Sequence, residues 1–529
     1  MITRMKQLRR VAALMLFTGL LGVAVDSTSG SKAQVNALSP QELRGRRIYQ
    51  AGESVSGKPI TATISDLDVP GASMSCAGCH GSSGQGTTEG GISSGNVTWS
   101  YLTNPAGHVH PTGRKHKAFD ELLISRATSE CVDPDGHKLL SAMPCYKMSA
   151  QDMADLIAYL KRVEADPQPG VTETTITIGS IIPTTGPLTE MGEAMQGVLT
   201  GYFAEINSQG GVYNRKFVLA IVEVGGDQAS ENLKSTMQSN QIFALVGGVA
   251  AGLDDQVVAL AQSEQLPVIG PATLLPRSAS NDYVFYLSPG IDDQARALVS
   301  FAAQKPELRK SKLSLVASKQ EVLAGVANIE NHARSLNWSL VRHDYERSTF
   351  NASQLIESLK ADKSDTLFII GSKEEAAAIL KEAAAANWAP DVLILGVVGG
   401  GVVSSMPASF QGKVFASFPT VPTDISPAGI AEFRALQEKY KLTNRHVASQ
   451  LSALAAAKVF VETLKQSGKD LTRIKLIHAL QQVSNFDTGV SRPVTFGPKE
   501  RVGSRGSYIV GVDAEKKEFM PTPIWVRSN

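Results

Sequence analysis

Two cysteines and a histidine in the first fifth of the chain have a spacing suited to holding an iron-bearing prosthetic group. They form the run Cys76-Ala77-Gly78-Cys79-His80. Thiols three positions apart can add to the two vinyl groups of a haem, and the adjacent histidine then reaches the iron. A zinc site would require a second ligand pair at similar spacing, and a redox dithiol would require a thioredoxin-like βαβ context. The motif therefore predicts one haem c, attached through Cys76 and Cys79, with His80 as the proximal iron ligand.

Two predicted helices flank this motif and would have to position it. Ser39-Pro40-Gln41-Glu42 is a capping box with proline at the first helical position, and the helix that follows carries Gly45 and Tyr49 on one face. A second capped helix begins at Ser149-Ala150-Gln151-Asp152, and a small residue such as Gly45 would let the two helices cross closely. The arrangement resembles class I c-type cytochromes over residues 35–165, which implies a small all-α cytochrome c domain.

The same resemblance implies a second axial ligand for the iron. In that family a Met-Pro pair before the last helix supplies a thioether, and here the pair is Met143-Pro144. Met148 is the alternative, and a histidine or an open iron position are the others. A Met/His pair raises the haem potential and suits electron transfer. Four histidines lie between the haem-attachment motif and the Met-Pro pair, and we expect them to be solvated loop residues and not iron ligands: His108, His110, His116 and His137.

The two remaining cysteines, Cys131 and Cys145, lie on either side of the predicted distal loop. In an exported protein they could form a disulfide. Such a bond would close a loop of about 15 residues and stabilise the fold by about 3 kcal/mol in the chain-entropy model. It would also hold Met143 near the iron. Two buried thiols are the alternative.

Export is predicted from the N-terminus. A basic stretch, an apolar run over residues 11–25 and the small-x-small site Ser31-Lys32-Ala33 form a signal peptide, residues 1–33. The apolar run is shorter than the ~20 residues that span a bilayer, and no later segment looks long and apolar enough to do so. We therefore expect a periplasmic protein with no stable membrane span after cleavage.

Composition excludes one class of partner. The 529 residues include 51 basic and 50 acidic side chains without a long basic tract, so nucleic-acid binding is not predicted. The hydrophobic fraction of 43% is enough for large cores.

A polar stretch with two prolines, residues 166–172, reads as a linker to a second region over residues 173–529. Apolar, β-rich runs alternate there with helical ones, which predicts parallel sheets with helices on both faces. The length predicts two lobes. Strands are expected at 175–182, 217–224, 243–246, 267–269, 313–316, 366–370 and 392–395, and helices at 190–207, 253–264, 292–304, 352–361 and 373–385.

Several short runs in this region carry a second resemblance. Ile176-Thr177-Ile178-Gly179 leads to Thr185-Gly186-Pro187, Glu205-Ile206-Asn207 precedes Gly210-Gly211-Val212, and Pro267-Val268-Ile269-Gly270-Pro271 follows. This order resembles type I periplasmic binding proteins of the branched-chain amino acid and amide kind. It implies two α/β lobes that close on a ligand outside the carboxyl ends of the strands. Candidate ligand-binding residues, from the resemblance and from cleft position, are Thr184, Thr185, Ala251, Ala272, Thr273, Tyr286 and Gly371.

The sequence departs from that family at one position. Amino-acid binders of this kind usually have a serine where this chain reads Ala250-Ala251-Gly252. A ligand carboxylate buried without donors would cost several kcal/mol. We therefore expect a different, less charged small organic molecule. The alternative is a shift in register, with Thr273 and neighbouring hydroxyls supplying the missing donors.

Three functions compete at this point. The chain could be an electron-transfer protein that links solute binding to a periplasmic oxidation pathway, with a dehydrogenase or oxidase as redox partner. It could instead be the receptor of an ABC-type importer, partnered by a permease, with an accessory cytochrome domain. An enzyme that oxidises the solute at the haem is disfavoured, because two axial ligands leave no open position on the iron. No catalytic constellation appears in the sequence.

Overall fold

The computed structural model describes residues 38–528 except 87, 90–91, 111–112, 167, 227–228, 279–280, 310–311 and 320–325. The predicted signal peptide, residues 1–33, lies outside the described residues. The described chain consists of a haem-motif segment, residues 39–165, followed by two α/β lobes.

Helices dominate the haem-motif segment, but short strands are present as well. Its helices are α1 (Pro40–Ala51), α2 (Cys76–His80), α3 (Trp99–Leu102), α4 (Glu121–Glu130) and α5 (Ala150–Leu160). An antiparallel sheet is formed by β1 (Thr61–Ile64), β2 (Leu67–Pro70) and β7 (Cys145–Lys147), and two hairpins pair β3 (Thr88–Glu89) with β4 (Ile92–Ser93) and β5 (His108–Val109) with β6 (Lys115–His116). The all-α expectation omits these strands because each has only two to four residues.

Helices α1 and α5 cross at Gly45. A Cβ atom there would lie 1.9 Å from the carbonyl oxygen of Asp155 and 2.7 Å from the Cβ of Tyr159, so only glycine allows this approach. Tyr49 and Tyr159 pack beside the crossing with ring centroids 5.6 Å apart. The Ser39 capping box is present at the start of α1. The predicted close crossing is therefore found, with the residue that permits it.

The chain then builds most of lobe 1. Its five parallel strands have the order β12-β11-β10-β8-β9. In chain order the elements are β8 (Thr175–Pro183), α6 (Thr189–Ser208), β9 (Lys216–Val224), α7 (Ala229–Asn240), β10 (Ala244–Val246), α8 (Asp254–Glu264), β11 (Val268–Ile269) and β12 (Val284–Phe285).

Lobe 2 follows as a mixed sheet in which the order β14-β13-β15-β16-β17 is parallel. Its elements are α9 (Ile291–Ala303), β13 (Leu313–Ser318), α10 (Val326–Ser335), β14 (Leu340–Tyr345), α11 (Ala352–Ala361), β15 (Thr366–Ile370), α12 (Lys373–Ala385), β16 (Asp391–Leu395), α13 (Gly396–Val402) and β17 (Val414–Phe418).

The chain crosses between the lobes three times. It returns to pack on the lobe 1 core with α14 (Pro427–Tyr440), α15 (Val447–Gln466) and α16 (Arg473–Gln481), then completes lobe 2 with the antiparallel β18 (Ser507–Asp513), β19 (Glu518–Phe519) and β20 (Ile524–Val526). The third crossover lies beside the other two. Gly503 N–H donates to the carbonyl of Tyr286 in the first crossover at 2.7 Å, and the Ser507 hydroxyl donates to the carbonyl of Phe418 at the start of the second at 2.8 Å. The first two crossovers leave from the carboxyl ends of β12 and β17, so the carboxyl edges of both sheets adjoin the hinge.

One helix bears on the expectation that no segment after the signal peptide could span a membrane. By length and composition alone, α15 is apolar enough to cross a bilayer, although 67% of its apolar window is buried within the fold. Leu454, Val459 and Phe460 are each 0% exposed in the lobe 1 core. The helix is thus a core element of lobe 1.

Candidate haem and solute sites

The predicted haem-attachment residues lie on the short helix α2. Cys76 is half-buried and Cys79 is exposed, and both lie outside the disulfide, which joins Cys131 to Cys145 with an S–S distance of 2.08 Å. Burial raises the pKa of Cys76 to about 12. Catalytic dithiols have a lowered thiol pKa, and the pKa of Cys76 is shifted in the opposite direction.

His80 has the tautomer that an iron ligand needs. Its Nδ1 lies 2.7 Å from the Gly95 carbonyl oxygen, which can only accept, so Nδ1 carries the proton and Nε2 keeps its lone pair. Burial lowers the pKa of His80, which favours the neutral ring. A backbone partner that fixes the ring in this way is typical of a metal-ligating histidine. Two thiols and one such imidazole on this short helix fit the covalent attachment of a haem by Cys76 and Cys79 and ligation of its iron by His80.

Both candidate distal methionines flank a strand that packs beside α2. Tyr146 of β7 donates a 2.5 Å hydrogen bond to the Met74 carbonyl, two residues before Cys76. Met143 lies two residues before β7 and Met148 one residue after it, and both are half-buried. The disulfide fixes Cys145 to the end of α4, next to Met143. Both methionines are therefore within two residues of a strand that contacts the segment before the haem-attachment helix.

The expectation of solvated histidines is wrong for two of the four. His108 and His116 are each 6% exposed, and their rings lie 5.0 Å apart on the β5–β6 hairpin against Phe119. The Nε2 atoms of His110 and His116 are 2.9 Å apart. No group of three or more metal-binding side chains is found within the described residues. These rings therefore pack as a local aromatic cluster.

The candidate solute-binding residues lie where the topology predicts, at the carboxyl edges of the two sheets. Thr184 and Thr185 follow β8 and are exposed, and Ala251 is exposed in the loop between β10 and α8. Ala272 and Thr273 follow β11, where the Thr273 hydroxyl accepts a 3.0 Å hydrogen bond from the Leu275 amide.

Two candidates have other roles. Tyr286 is 2% exposed, and its hydroxyl accepts a 3.2 Å hydrogen bond from the Arg277 amide, so this residue supports the loop behind the edge. Gly371 is buried at the end of β15, where a Cβ would lie 2.6 Å from the Tyr345 hydroxyl and 2.8 Å from Glu375 Oε2. Phe285 is also fully buried, against Phe496.

Glu375 is a carboxylate at this edge that the sequence reasoning missed. Burial alone would raise its pKa, but hydrogen bonds from the Ser372 amide, Arg347 and Tyr345 lower it. The Ser372 amide donates at 2.8 Å and Arg347 Nε at 3.1 Å. Tyr345 is the last residue of β14, a strand that the hydrophobic pattern does not predict because many of its residues are polar. Prediction of β14 would have placed Tyr345 and Arg347 near Glu375.

Comparison with known protein families identifies both regions. The periplasmic binding protein family matches residues 175–517, which is more than half of the chain. The chain belongs to the periplasmic binding protein family. The cytochrome c family matches residues 71–164, so a cytochrome c domain precedes the binding domain, and a covalently bound haem c is implied. The recognition of both families from the sequence is confirmed.

Curated relatives match the binding domain. The Leu/Ile/Val-binding protein homolog 7 of Brucella abortus is 26% identical over 326 residues, covering 57% of this chain and 79% of the relative. The homolog 7 protein of Brucella melitensis is 25% identical over 322 residues, with the same coverage.

Solved structures share the fold of the binding domain. A fatty acid ABC transporter substrate-binding protein from Thermomonospora curvata has a TM-score of 0.52 at 19% identity, covering 69% of this chain and 94% of its own. A branched-chain amino acid ABC transporter protein from Thermus thermophilus with bound valine has a TM-score of 0.52 at 18% identity, covering 67% and 97%. The two-lobed α/β fold is thereby confirmed.

The cytochrome domain packs directly on lobe 1 through a buried polar cluster. Arg46 of α1 donates to Gln265 Oε1 at 2.9 and 3.2 Å and lies 3.5 Å from the Asp166 carboxylate. Tyr159 donates to the same carboxylate at 2.9 Å. The side chains of Arg46 and Asp166 are only 9% and 11% exposed.

Helix α16 and the loop before it complete this interface. Ser82 donates to Asp470 at 3.0 Å, and His478 Nε2 lies 3.5 Å from Glu53 Oε1. Arg473 donates to the carbonyls of Ile242 and Phe243, which precede β10. Burial, followed by repulsion from Arg46, lowers the pKa of Arg473 to about 9.

These contacts fix which edge of lobe 1 faces the cytochrome. Gln265 precedes β11, and Ile242 and Phe243 precede β10, so the interface lies at the amino ends of the strands. The candidate solute-binding loops lie at the carboxyl ends. Strand β8 connects the two edges over nine residues, or roughly 26–30 Å at ~3.3 Å per residue. The interface with the cytochrome domain and the candidate solute-binding loops therefore lie at opposite ends of the lobe 1 strands.

Proposed function

We propose that this protein is a periplasmic electron-transfer protein that carries one haem c, binds a small organic solute, and links solute binding to a periplasmic oxidation pathway. Cys76 and Cys79 attach the haem, His80 is the proximal ligand and Met143 is the distal ligand. The haem would supply one-electron chemistry when bound, and the chain's own residues would attach it and orient the ring of His80.

The observation that carries this proposal is the location of the cytochrome domain on lobe 1. The buried Arg46–Asp166–Gln265 cluster fixes it at the amino edge, a strand length from the cleft. On this proposal, a solute in the cleft and a haem on α2 would be held on one scaffold without contact, and a separate dehydrogenase would oxidise the solute. The haem then serves as the electron acceptor of that dehydrogenase or as the donor to an oxidase.

The test is haem reduction by such a partner. Ferric holoprotein is mixed with a purified periplasmic quinoprotein dehydrogenase and its substrate, and the haem α band is followed in time. We expect reduction that depends on both additions and that is absent from the Cys76→Ala/Cys79→Ala protein. Reduction no faster than with substrate alone would refute the electron-acceptor role.

The receptor of an ABC-type importer is the second candidate function. It is favoured by the open carboxyl edges, which the cytochrome domain leaves uncovered, and by relatives whose names include ABC transporter proteins. Solute uptake by vesicles that contain the matching permease, with haem-free protein as active as holoprotein, would support this function. Periplasmic export by the predicted signal peptide is common to both proposals.

Solute and redox state can also be coupled thermodynamically. If they are, the solute Kd differs between ferric and ferrous protein, and the haem potential shifts by the reciprocal amount. Titration of the solute into both redox states measures this coupling, and identical Kd values would exclude it.

A further inference from the structure

The hairpin formed by β5 and β6 has a buried face and an exposed face. The cross-strand pair His108 and His116 lies on the buried face, where each side chain is 6% exposed. The next pair, Val109 and Lys115, points the other way, because successive side chains of a strand alternate between its two faces. Val109 is 68% exposed, and Lys115 is exposed beside it. The hairpin therefore presents a large apolar side chain and a cation together to solvent.

The loop before the Met-Pro pair lies against the same hairpin. The Lys117 amide donates a 3.1 Å hydrogen bond to Asp135 Oδ2, and Arg114 Nη1 donates to the Lys138 carbonyl at 3.5 Å. Lys138 is exposed, and Leu140 is 59% exposed two residues later. The hairpin and the loop thus form adjoining parts of one surface, which we call the hairpin face: Val109, Lys115, Lys117, Lys138 and Leu140.

The hairpin face carries positive charge that nearby carboxylates do not neutralise. Within the described part of the chain, neither Lys115 nor Lys138 has a carboxylate oxygen within 4 Å of its ammonium group. The Lys117 ammonium lies 3.9 Å from the Asp135 carboxylate, but the two side chains are 64% and 39% exposed, and an ion pair so exposed contributes little. Asp133 is 0% exposed and accepts hydrogen bonds from backbone amides of its own loop. An approaching acidic surface would therefore meet cations whose charge is not already compensated.

The same face borders the proposed distal ligand. The Met143 amide donates a 2.9 Å hydrogen bond to the Leu140 carbonyl, which closes a turn over residues 140–143. The Leu139 amide donates to the Cys131 carbonyl at 2.8 Å, and the disulfide joins Cys131 to Cys145. One end of the hairpin face is thus fixed next to Met143. A redox protein docked on this face would lie beside the proposed iron ligand.

Resting on the proposed function, which requires a redox partner, we infer that the hairpin face docks an acidic electron-transfer protein. Complementary charge accelerates encounter and sets orientation, and transient redox complexes bury less than about 1,200 Å². Three exposed cations with two apolar side chains suit such a complex in size and in charge. The positive charge is local, since the whole chain has 51 basic and 50 acidic side chains. Two apolar side chains on a hairpin and a loop lack the continuous apolar stripe by which an interfacial helix enters a lipid bilayer.

The experiment measures the binding of holoprotein to oxidised plant-type ferredoxin, an acidic one-electron protein, by calorimetric titration at low salt. The double variant Lys115→Glu/Lys138→Glu should weaken Kd about tenfold or more, because it replaces attraction by repulsion at the docking surface. The control Lys381→Glu/Lys516→Glu makes the same change in net charge at two exposed lysines of lobe 2 and should change Kd less than about twofold, because salt screens distant charges. All four lysines are exposed, so both double variants should keep the melting temperature and the haem α band of wild type.

Salt and the apolar side chains provide two further readouts. The wild-type Kd should weaken as the salt concentration rises from ~10 mM to ~300 mM, and the Lys115→Glu/Lys138→Glu variant should lose this dependence. Val109→Asn and Leu140→Asn should each weaken Kd about threefold, because each removes apolar area from the contact. Val218→Asn, on a 46% exposed side chain near the amino end of β9, should leave Kd unchanged.

Three results would overturn the inference. The first is an equal Kd for wild type and for Lys115→Glu/Lys138→Glu, and the second is no binding of ferredoxin by wild type at ~10 mM salt. The third is sedimentation with phosphatidylglycerol vesicles that depends on the two lysines while ferredoxin does not bind, which would assign the face to a lipid surface.

The outcomes separate this inference from the proposed function. If a dehydrogenase reduces the haem of wild type and of Lys115→Glu/Lys138→Glu at the same rate, the electron-transfer function stands and the docking surface is wrong. If ferredoxin binds through the two lysines but no dehydrogenase reduces the haem, the docking surface stands and the link to solute oxidation is wrong.

Discussion

Ser82 donates a 3.0 Å hydrogen bond to Asp470, and this contact joins the loop after the haem-attachment motif to the loop before α16 of lobe 1. The haem-attachment site is thus fastened to the binding domain two residues beyond His80. The cytochrome domain and lobe 1 therefore form a common scaffold, and closure of the cleft about the three crossovers would move lobe 2 relative to both.

Replacement of the distal methionine tests the haem ligation. Met143→Ala should abolish the weak charge-transfer band of iron–thioether ligation in the ferric spectrum and lower the haem potential, because a thioether favours the ferrous state. Met148→Ala is the matched control and should keep both properties. The opposite result, with the band lost only in Met148→Ala, would assign Met148 as the ligand.

Removal of a buried partner tests the interface. Arg46→Ala leaves Asp166 buried without its cation, which we expect to destabilise the protein by about 3 kcal/mol. Urea denaturation is followed by haem absorbance and by tryptophan fluorescence, and the two transitions should separate in the variant. Lys147→Ala, which breaks an ion pair whose partners are 67% and 51% exposed, should cost no more than about 1 kcal/mol. Equal losses in the two variants would argue against a special role for the buried cluster.

Acid should weaken one interface contact. A hydrogen bond with His478, the largest cause, lowers the pKa of Glu53 from 4.5 to about 2. A lowered folded-state pKa adds stability that is full above pH 4.5 and is lost as the pH falls towards 2. The unfolding free energy of wild type should therefore exceed that of Glu53→Gln at pH 6, and the difference should shrink between pH 4.5 and 2. A difference that does not change with pH would refute this account.

The helix crossing offers a steric test. Gly45→Ala would place a Cβ atom 1.9 Å from the Asp155 carbonyl oxygen, which forces α1 and α5 apart, and we expect a loss of about 3 kcal/mol or more. Gly400→Ala, in α13, meets no atom within 4 Å and should be neutral or stabilising by up to about 1 kcal/mol. Thermal unfolding of both variants measures the contrast. Equal melting temperatures for Gly45→Ala and wild type would mean that the helices are not packed so closely.

Much of the fold could be predicted from local sequence patterns. Strand β15 has the predicted bounds because a continuous apolar run indicates a buried strand. Helix α12 has the predicted bounds because its capped amphipathic run indicates a helix. Strand β14 was missed because its residues are only partly buried and largely polar, and the antiparallel β18–β20 segment was missed because its pairing is set by distant strands.

The sequence alone predicts the haem-attachment residues, because their chemistry requires adjacency in sequence. The solute edge was only partly predictable. Glu375 carries no local signal, since its hydrogen bonds with Arg347 and Tyr345 depend on the position of β14. The interface was unpredictable for a similar reason: Arg46 and Gln265 look like ordinary surface residues until the fold brings them together across 219 positions.

The disulfide also constrains how the chain is assembled. Four cysteines allow three ways of forming two disulfides, and each of them consumes the thiols that haem attachment requires. Cys131 and Cys145 form the disulfide, whereas the proposed haem attachment requires Cys76 and Cys79 to stay reduced until the haem is bound. Biosynthesis in an oxidising compartment therefore has to sort the thiols by position, either by attaching the haem before oxidation or by keeping one pair selectively reduced.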